Sequence, residues 1–504
     1  MENHHVLELL KLKEKIPRQS CYFRIPDYYF PKSTDPDRIE YLKSLNPEIE
    51  AFSDPKCSLD LPYICDNCLH RVLHSKFSSW TSKNELIDSF IQETQLFSSY
   101  ERYPEWVPYN SLSQIKKIGE GGFGIVFSAL WEWGIKSSLE EEEEDDKKRK
   151  KIYHYRTGRC TVALKKLKGE MEITRAFLSE VQAQFDFCHL YGISQDPSTL
   201  EYLFIMRFAP QGDLRTYLLR NFDNLSLPNK LGIAQTICAE LEKIHAKGWV
   251  HGDLHSGNIL LLNEENAFIS DFGMCRPTDA VGAKESFYGI IPNIAPEIFR
   301  GRPYFQAGDI YSLGIVLWEL ACGVIAFADR SHDVYLLLEI IDGLRPQTCH
   351  FAPPVYNKLL KRCWDSDPLN RPSIKDVLES IEYWCYHRRQ TDVVNRSNNI
   401  GSDLFRSEPM SSSETDKNNR FGKKNVFGYY DYFDPTIKNQ FATSQDIGYI
   451  YILMKWRPNK PIHSEAVYTS RSFSYKSLQD EIDIFLGRRK SNQKSNNHIR
   501  LDLN

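Results

Sequence analysis

The sequence predicts an α+β domain built in two parts, a smaller strand-rich half followed by a larger helical half. Three observations predict it. Strand-type apolar runs, around Gly119–Ala129, Val162–Leu167 and Tyr202–Phe208, all fall early. From Leu227 onward helical periodicity takes over. Segments of different character flank this block, dividing the 504 residues into an extension (1–111), a folded domain (112–386) and a polar tail (387–504) rich in Ser, Asn and Lys, expected to be largely disordered.

In chain order, Leu86, Ile87, Phe90, Ile91 and Leu96 mark a helix over Lys83–Leu96 in the extension. The strand-like hairpin around Gly119–Ala129 comes next. It is followed by an insertion over about 134–158, where acidic Glu140–Asp146 runs directly into basic Lys147–Lys151. No core can use such a run of charges, so it reads as a solvated loop. A helix over Arg175–Phe187 separates the strands Val162–Leu167 and Tyr202–Phe208. Further helices follow at Leu231–Lys247, Ile310–Ala321, Val334–Ile341, Val355–Cys363 and Ile374–Tyr383. The apolar stretch Ile310–Phe327 is broken by Ser312 and Glu319, which makes it a buried core helix rather than a membrane span.

Hydrophobic residues at 41% and charged residues at 26% suit a chain that buries a sizeable core. A net charge of −4 gives no reason to expect nucleic acid or membrane as a partner. The cysteines lack tight repeating spacing, and Cys238 and Cys322 lie within apolar helical patterns as buried thiols. A reducing cytoplasm is expected, with the nucleus as the alternative, and Arg488-Arg489-Lys490 reads as an exposed solubilising patch ahead of a nuclear address. Cys57, Cys65 and Cys68 near His70 and His74 could hold zinc, but Asp60 stands where a second paired thiol is needed, and free thiols are the expectation.

The chemistry begins at Gly119, Gly121, Gly122 and Gly124. Glycines let backbone N–H groups approach phosphate oxygens without a side chain between them. A dinucleotide site would open a helix here, whereas Ile125-Val126-Phe127 continues as a strand, so the glycines cap a hairpin. Lys165 ends Val-Ala-Leu-Lys on an apolar strand, and Glu180 follows in the predicted helix, a pair able to hold an ammonium against phosphates. Then His251-Gly252-Asp253-Leu254-His255-Ser256-Gly257-Asn258 precedes Asp271-Phe272-Gly273. Each of these residues alone could be a turn former. Together they supply a carboxylate for a substrate hydroxyl (Asp253) and oxygen ligands for a phosphate-bound Mg²⁺ (Asn258, Asp271).

From Ile118 to about Tyr386 the chain resembles the eukaryotic protein kinases, which have a bilobal fold. Ala295-Pro296-Glu297 matches the close of their activation segment, and Arg371 the salt-bridge partner of that glutamate. Asp309 matches the anchor of the large-lobe helix. Cys363-Trp364, Asp367-Pro368 and Arg371-Pro372 resemble the ending of tyrosine-kinase-like and tyrosine kinases. The resemblance implies catalysis by Asp253, Lys165, Glu180 and Asn258, and metal binding by Asn258 and Asp271. It implies ATP binding at Gly119, Gly121, Gly124, Val126, Ala163, Lys165, Met206, Phe208 and Leu260, with Met206 as gatekeeper and Arg207-Phe208-Ala209 as hinge. ATP with Mg²⁺ (or Mn²⁺) and protein substrates are implied in turn. Trp80–Leu96 and the tail phrase Glu465–Arg471 resemble a fungal expansion of the tyrosine-kinase-like group, and no chemistry is assigned to them.

Four positions depart from the family pattern. Gly252 replaces the arginine that usually meets an activation-loop phosphate, so phosphorylation at Thr278, Ser286 or Tyr288 is expected to matter less than in most kinases. His255 meets neither the lysine of Ser/Thr kinases nor the tyrosine-kinase signature, and Ile290 replaces a threonine of Ser/Thr kinases, so these positions leave the acceptor open, with Ser/Thr expected ahead of Tyr. Gln184 replaces an apolar residue of the stack linking the lobes. The expected function is phosphoryl transfer to proteins. The alternative is a pseudokinase scaffold, against which stands the presence of all five of Lys165, Glu180, Asp253, Asn258 and Asp271.

Overall fold

The computed structural model describes residues 77–97, 103–120, 124–142, 150–167, 183, 187, 190–278, 286–350, 352–386, 462–478 and 480. Six of the strands assemble into one sheet. In spatial order these are Glu105–Trp106, Leu190–Gln195, Tyr202–Arg207, Cys160–Leu167, Gly124–Trp131 and Leu112–Glu120. Glu105–Trp106 pairs in parallel with its neighbour and the rest pair antiparallel. The expected glycine hairpin is there, with Gly119 opposite Val126 and Glu120 opposite Ile125. The strand Leu190–Gln195 went unpredicted, because Gly192 interrupts its six residues and hides the alternation.

The sheet is covered from the N-terminal side. Helix Glu85–Phe97 lies within two residues of the expected bounds at each end. Its Ile87 and Ile91 pack with Leu190, Ile193, Phe204 and Met206 into a small core of their own. Tyr202 donates its hydroxyl to the Ser82 carbonyl at 3.0 Å, tying the lead-in to the sheet.

The helical half is organised around Gln306–Cys322, a helix buried along nearly its whole length. It ends because Gly323 adopts φ +69°, a left-handed C-cap, and a Cβ there would come within 2.5 Å of the Phe222 ring. Helices Leu227–Ala246, Val334–Ile341 and Pro354–Cys363 pack around it with the helical residues 374–386. Leu214–Asn221 is a further helix, capped by Asp213 accepting from the Thr216 amide at 2.9 Å. Such a cap contributes about 1 kcal/mol. Cys238 and Cys322 are buried free thiols, as expected.

The charged insertion differs from expectation. Lys136–Glu142 and Lys150–Arg156 pair antiparallel as a two-stranded hairpin in register, Glu141 facing Lys151 and Glu142 facing Lys150, rather than forming a loop. An acidic run followed by a basic run supplies opposite charges at facing positions once the chain reverses, a pattern that a count of charges alone misses. The cysteines 57, 65 and 68 lie outside the described residues, as does most of 175–187. Among the described residues no helix is long and apolar enough to cross a membrane.

Candidate active site

Asp309, near the start of the central helix, organises the loop that carries the predicted motif. Its buried carboxylate accepts from the backbone N–H of His251 at 2.8 Å and of Gly252 at 2.9 Å, and it lies 2.9 Å from His245 Nε2. Burial alone would raise its pKa, but the His245 contact, the nearby His251 ring and the Gly252 amide bring it below the usual carboxylate range. Gly252 sits at φ +78°, and a Cβ there would lie 3.2 Å from the Met274 carbonyl. Glycine therefore suits this turn sterically as well as removing the guanidinium usual in the family.

The loop delivers Asp253 to the floor of the cleft, 5% exposed. Asn258 Nδ2 donates to the Asp253 carbonyl at 2.9 Å, fixing the two predicted residues against each other. Burial drives the Asp253 carboxyl up to about 7, with Asp271 adding to the rise and hydrogen bonds from Ser470 and Asn258 opposing it. A carboxylate held near neutrality is suited to taking a proton from a hydroxyl.

Asp271 is brought in from the other side. The Ser270 amide donates to the Asn258 carbonyl at 2.8 Å, so the chain preceding Asp271 is hydrogen-bonded to the Asn258 backbone. Asp271 itself adopts φ 64°, a left-handed conformation unusual for a residue other than glycine. Its carboxylate Oδ1 meets Lys165 Nζ at 2.9 Å. Phe272 stacks on Phe187 with ring centroids 5.2 Å apart and meets the His251 ring edge-on at 5.4 Å.

The donor set suits magnesium. Asp271 gives a partly exposed carboxylate and Asn258 an amide whose nitrogen is already engaged. Hard oxygen ligands in small number, completed by phosphate oxygens and water, are what Mg²⁺ takes. Among the described residues no cluster of three or more His, Cys, Asp or Glu offers a fuller cage.

The predicted nucleotide-binding residues converge through strand register. Val126 faces Lys165, and Ala163 faces Met206, across adjacent strands. Met206 is buried, and Phe208 and Ala209 continue from its strand into the turn where the Gly212 amide donates to Ala209. Leu260, on the short strand Ile259–Leu261, bridges to Asp213 immediately after that turn. Gly124 opens the second strand of the glycine hairpin. Gly121, Glu180 and Gln184 lie outside the described residues.

Beyond the cleft, Arg371 grips Glu297 with both guanidinium nitrogens, 2.7 Å to each carboxylate oxygen. It also donates to the Ala307 and Asp365 carbonyls. This pairs the end of the activation segment with the start of the last helices, as the resemblance implied.

The tail phrase is expected from the sequence to carry no chemistry within a largely disordered tail, yet residues 462–478 are ordered and lie across this site. Ser470 donates its hydroxyl to Asp253 Oδ1 at 2.9 Å. His255 Nε2 lies 2.9 Å from the same hydroxyl. The Gly257 amide donates to His255 Nδ1, which leaves the ring proton on Nε2, facing Ser470. Burial, then Arg215 and His251, hold the His255 pKa well below its ordinary value, so the ring is neutral. The strand Arg471–Ser474 pairs antiparallel with Ser286–Gly289 of the activation segment. No local periodicity could have placed this strand, since its partner lies nearly two hundred residues away.

A family description, protein tyrosine and serine/threonine kinase, matches residues 112–381. The probable serine/threonine-protein kinase roco5 of Dictyostelium discoideum is 31% identical over 323 residues, 60% of this chain and 11% of that protein. The serine/threonine/tyrosine-protein kinase HT1 of Arabidopsis thaliana is 33% identical over 183 residues, 36% of this chain and 47% of that protein. The serine/threonine-protein kinase STY46 of the same plant is 28% identical over 229 residues, 44% of this chain and 40% of its own length. The chain therefore spans less than half the length of each of these relatives.

Proposed function

The chain belongs to the family of protein tyrosine and serine/threonine kinases, and from that membership we propose that its cleft moves the γ-phosphate of ATP to serine or threonine hydroxyls of proteins in a signalling role. The single observation that carries this reading is the joint placement of Lys165, Asp253, Asn258 and Asp271. One strand, one loop and one turn bring an amine, a base and two metal-type oxygen donors together.

In this reading Lys165, drawn in by Asp271, sets the α- and β-phosphates, and the glycine hairpin covers them from above. Val126, Ala163, Met206 and Leu260 line the adenine site, and the backbone of Phe208 and Ala209 marks its edge. Asn258 and Asp271 would hold magnesium, or manganese, whose chemistry when bound is to neutralise charge on the phosphate oxygens. Asp253 accepts the proton of the incoming hydroxyl. Catalysis rests on positioning and charge, since the transferred group needs little covalent help from the protein.

Serine and threonine are favoured over tyrosine by the names of the relatives. A peptide-library reaction with labelled ATP, followed by phosphoamino-acid analysis, tests the proposal. Phosphoserine and phosphothreonine are expected, and none in Asp271→Asn. Label on tyrosine alone would overturn the acceptor assignment, and no label on any peptide would favour a scaffold without transferase activity.

A further inference from the structure

The segment His463–Tyr475 runs past Asp253, where an acceptor would lie, and it is held at points along its length. The His463 amide donates to the Ala328 carbonyl at 2.8 Å, and the His332 amide to the Glu465 carbonyl at 3.1 Å. His332 Nδ1 lies 2.9 Å from the Val467 carbonyl. Arg215 donates to the Tyr468 carbonyl at 2.5 Å and lies 5.2 Å over the Tyr468 ring. Tyr288 donates its hydroxyl to the Ser470 carbonyl at 2.9 Å. Beyond Ser470 the strand Arg471–Ser474 adds to the activation segment, placing Gly289 opposite Arg471 and Phe287 opposite Phe473. The Phe287 and Phe473 rings stack at 4.9 Å and 10°. Tyr475 closes the run, donating to the Ile298 carbonyl at 2.6 Å.

Main-chain pairing along an exposed strand, with aromatic anchors at intervals, is how a sheet edge takes up an extended peptide. Within this frame one hydroxyl, that of Ser470, meets Asp253. Gly289 makes room for it: at φ +138° it carries no Cβ, and one built there would lie 3.3 Å from Asp253 Oδ1. His255 donates to Ser470 Oγ from the other side, so the hydroxyl hydrogen is aimed at the carboxylate.

We propose that Ser470 is the chain's own phosphoacceptor, modified within the same molecule, and that the tail blocks outside substrates until this happens. The inference rests on the kinase reading of the cleft and extends it to a named substrate. In the step, Ser470 Oγ forms a bond to the γ-phosphorus of ATP. The bond from that phosphorus to the β,γ-bridging oxygen breaks, ADP leaves with the electron pair, and the hydroxyl proton passes to Asp253. Asp253 then gives that proton up to water, and the new phosphate stands beside a carboxylate. Like charges at that separation repel, which drives the segment off Asp253 and opens the site to other proteins.

The test uses the full chain with magnesium and ATP, and reads two things together: phosphate at Ser470 by mass spectrometry, and phosphate on a generic peptide added in solution. Wild type is expected to label Ser470 with a first-order rate constant unchanged by dilution, and not to label added Asp253→Asn chain. Ser470→Ala keeps the segment docked, whereas Ser470→Glu imitates the product. The peptide KM is therefore expected to be about tenfold lower in Ser470→Glu than in Ser470→Ala, the size of one water-screened like-charge contact at about 3 Å. Peptide phosphorylation with Ser470 left unmodified would overturn the proposal while sparing the kinase reading, and so would labelling that rises with protein concentration. Equal KM in the two variants would overturn the blocking role. No phosphate on either acceptor would remove the kinase reading, and the Ser470 proposal with it.

Discussion

Arg371 and Glu297, separated by 74 positions in sequence, form a buried two-pronged ion pair at 2.7 Å on each side. Planar guanidinium against planar carboxylate is the geometry in which such a pair is strongest. Breaking it from one side strands a charge in the interior, because Glu297 is buried. Arg371→Ala is expected to destabilise the large lobe by about 3–5 kcal/mol. Arg371→Lys, unable to bond both oxygens at once, should recover only part of that. Urea unfolding of both variants checks this, and an unchanged midpoint for Arg371→Ala would contradict it.

The raised pKa of Asp253, at about 7, predicts how activity follows pH. As the proton acceptor it works only when ionised, so kcat/KM should climb as pH rises through about 7 and level off above. Stability should run the opposite way. The folded chain holds this proton more tightly than the unfolded chain does, so protonation stabilises the fold at low pH. That contribution is lost as pH rises from about 4 through about 7. Asp253→Asn should flatten the trend. Rate profiles and urea midpoints across this range measure both effects, and a kcat/KM flat across neutrality contradicts the assignment.

Ser286→Ala should cost less than about tenfold in kcat/KM, under ~1.4 kcal/mol of transition-state stabilisation. Gly252 carries no guanidinium to meet a phosphate there, and Ser286 already lies in register with Ser474 of the tail. Steady-state kinetics on the variant, with circular dichroism to confirm folding, decides the point. A larger loss with the fold intact would mean that phosphorylation controls this segment after all.

The site's chemistry was legible because it is written in short linear motifs. Asp253, Asn258 and Asp271 lie within one stretch of sequence, and local hydrogen bonds between their loops draw them together, with Asp309 holding the loop from beneath. Helices such as Val334–Ile341 were legible for the same local reason, with the structure reproducing the expected bounds. Leu214–Asn221 was not, since eight residues are too few for a convincing period and its cap, Asp213, looks like any turn residue. Ser470 could not be read at all. Nothing near it in sequence signals a contact with Asp253, which depends on a strand pairing between residues far apart. Its one clue was an unexplained phrase, Tyr468-Thr469-Ser470-Arg471, in an otherwise featureless polar tail.

The most direct measurement compares wild type with Asp253→Asn for γ-phosphate transfer from ATP to a peptide, alongside ATP affinity in magnesium. Amide for carboxylate keeps the shape and removes the proton acceptor. Transfer should fall by roughly 10²–10⁴-fold while ATP affinity stays within a few-fold of wild type. Equal transfer rates in the two proteins would contradict the account, because the cleft would then owe its activity to some group other than Asp253.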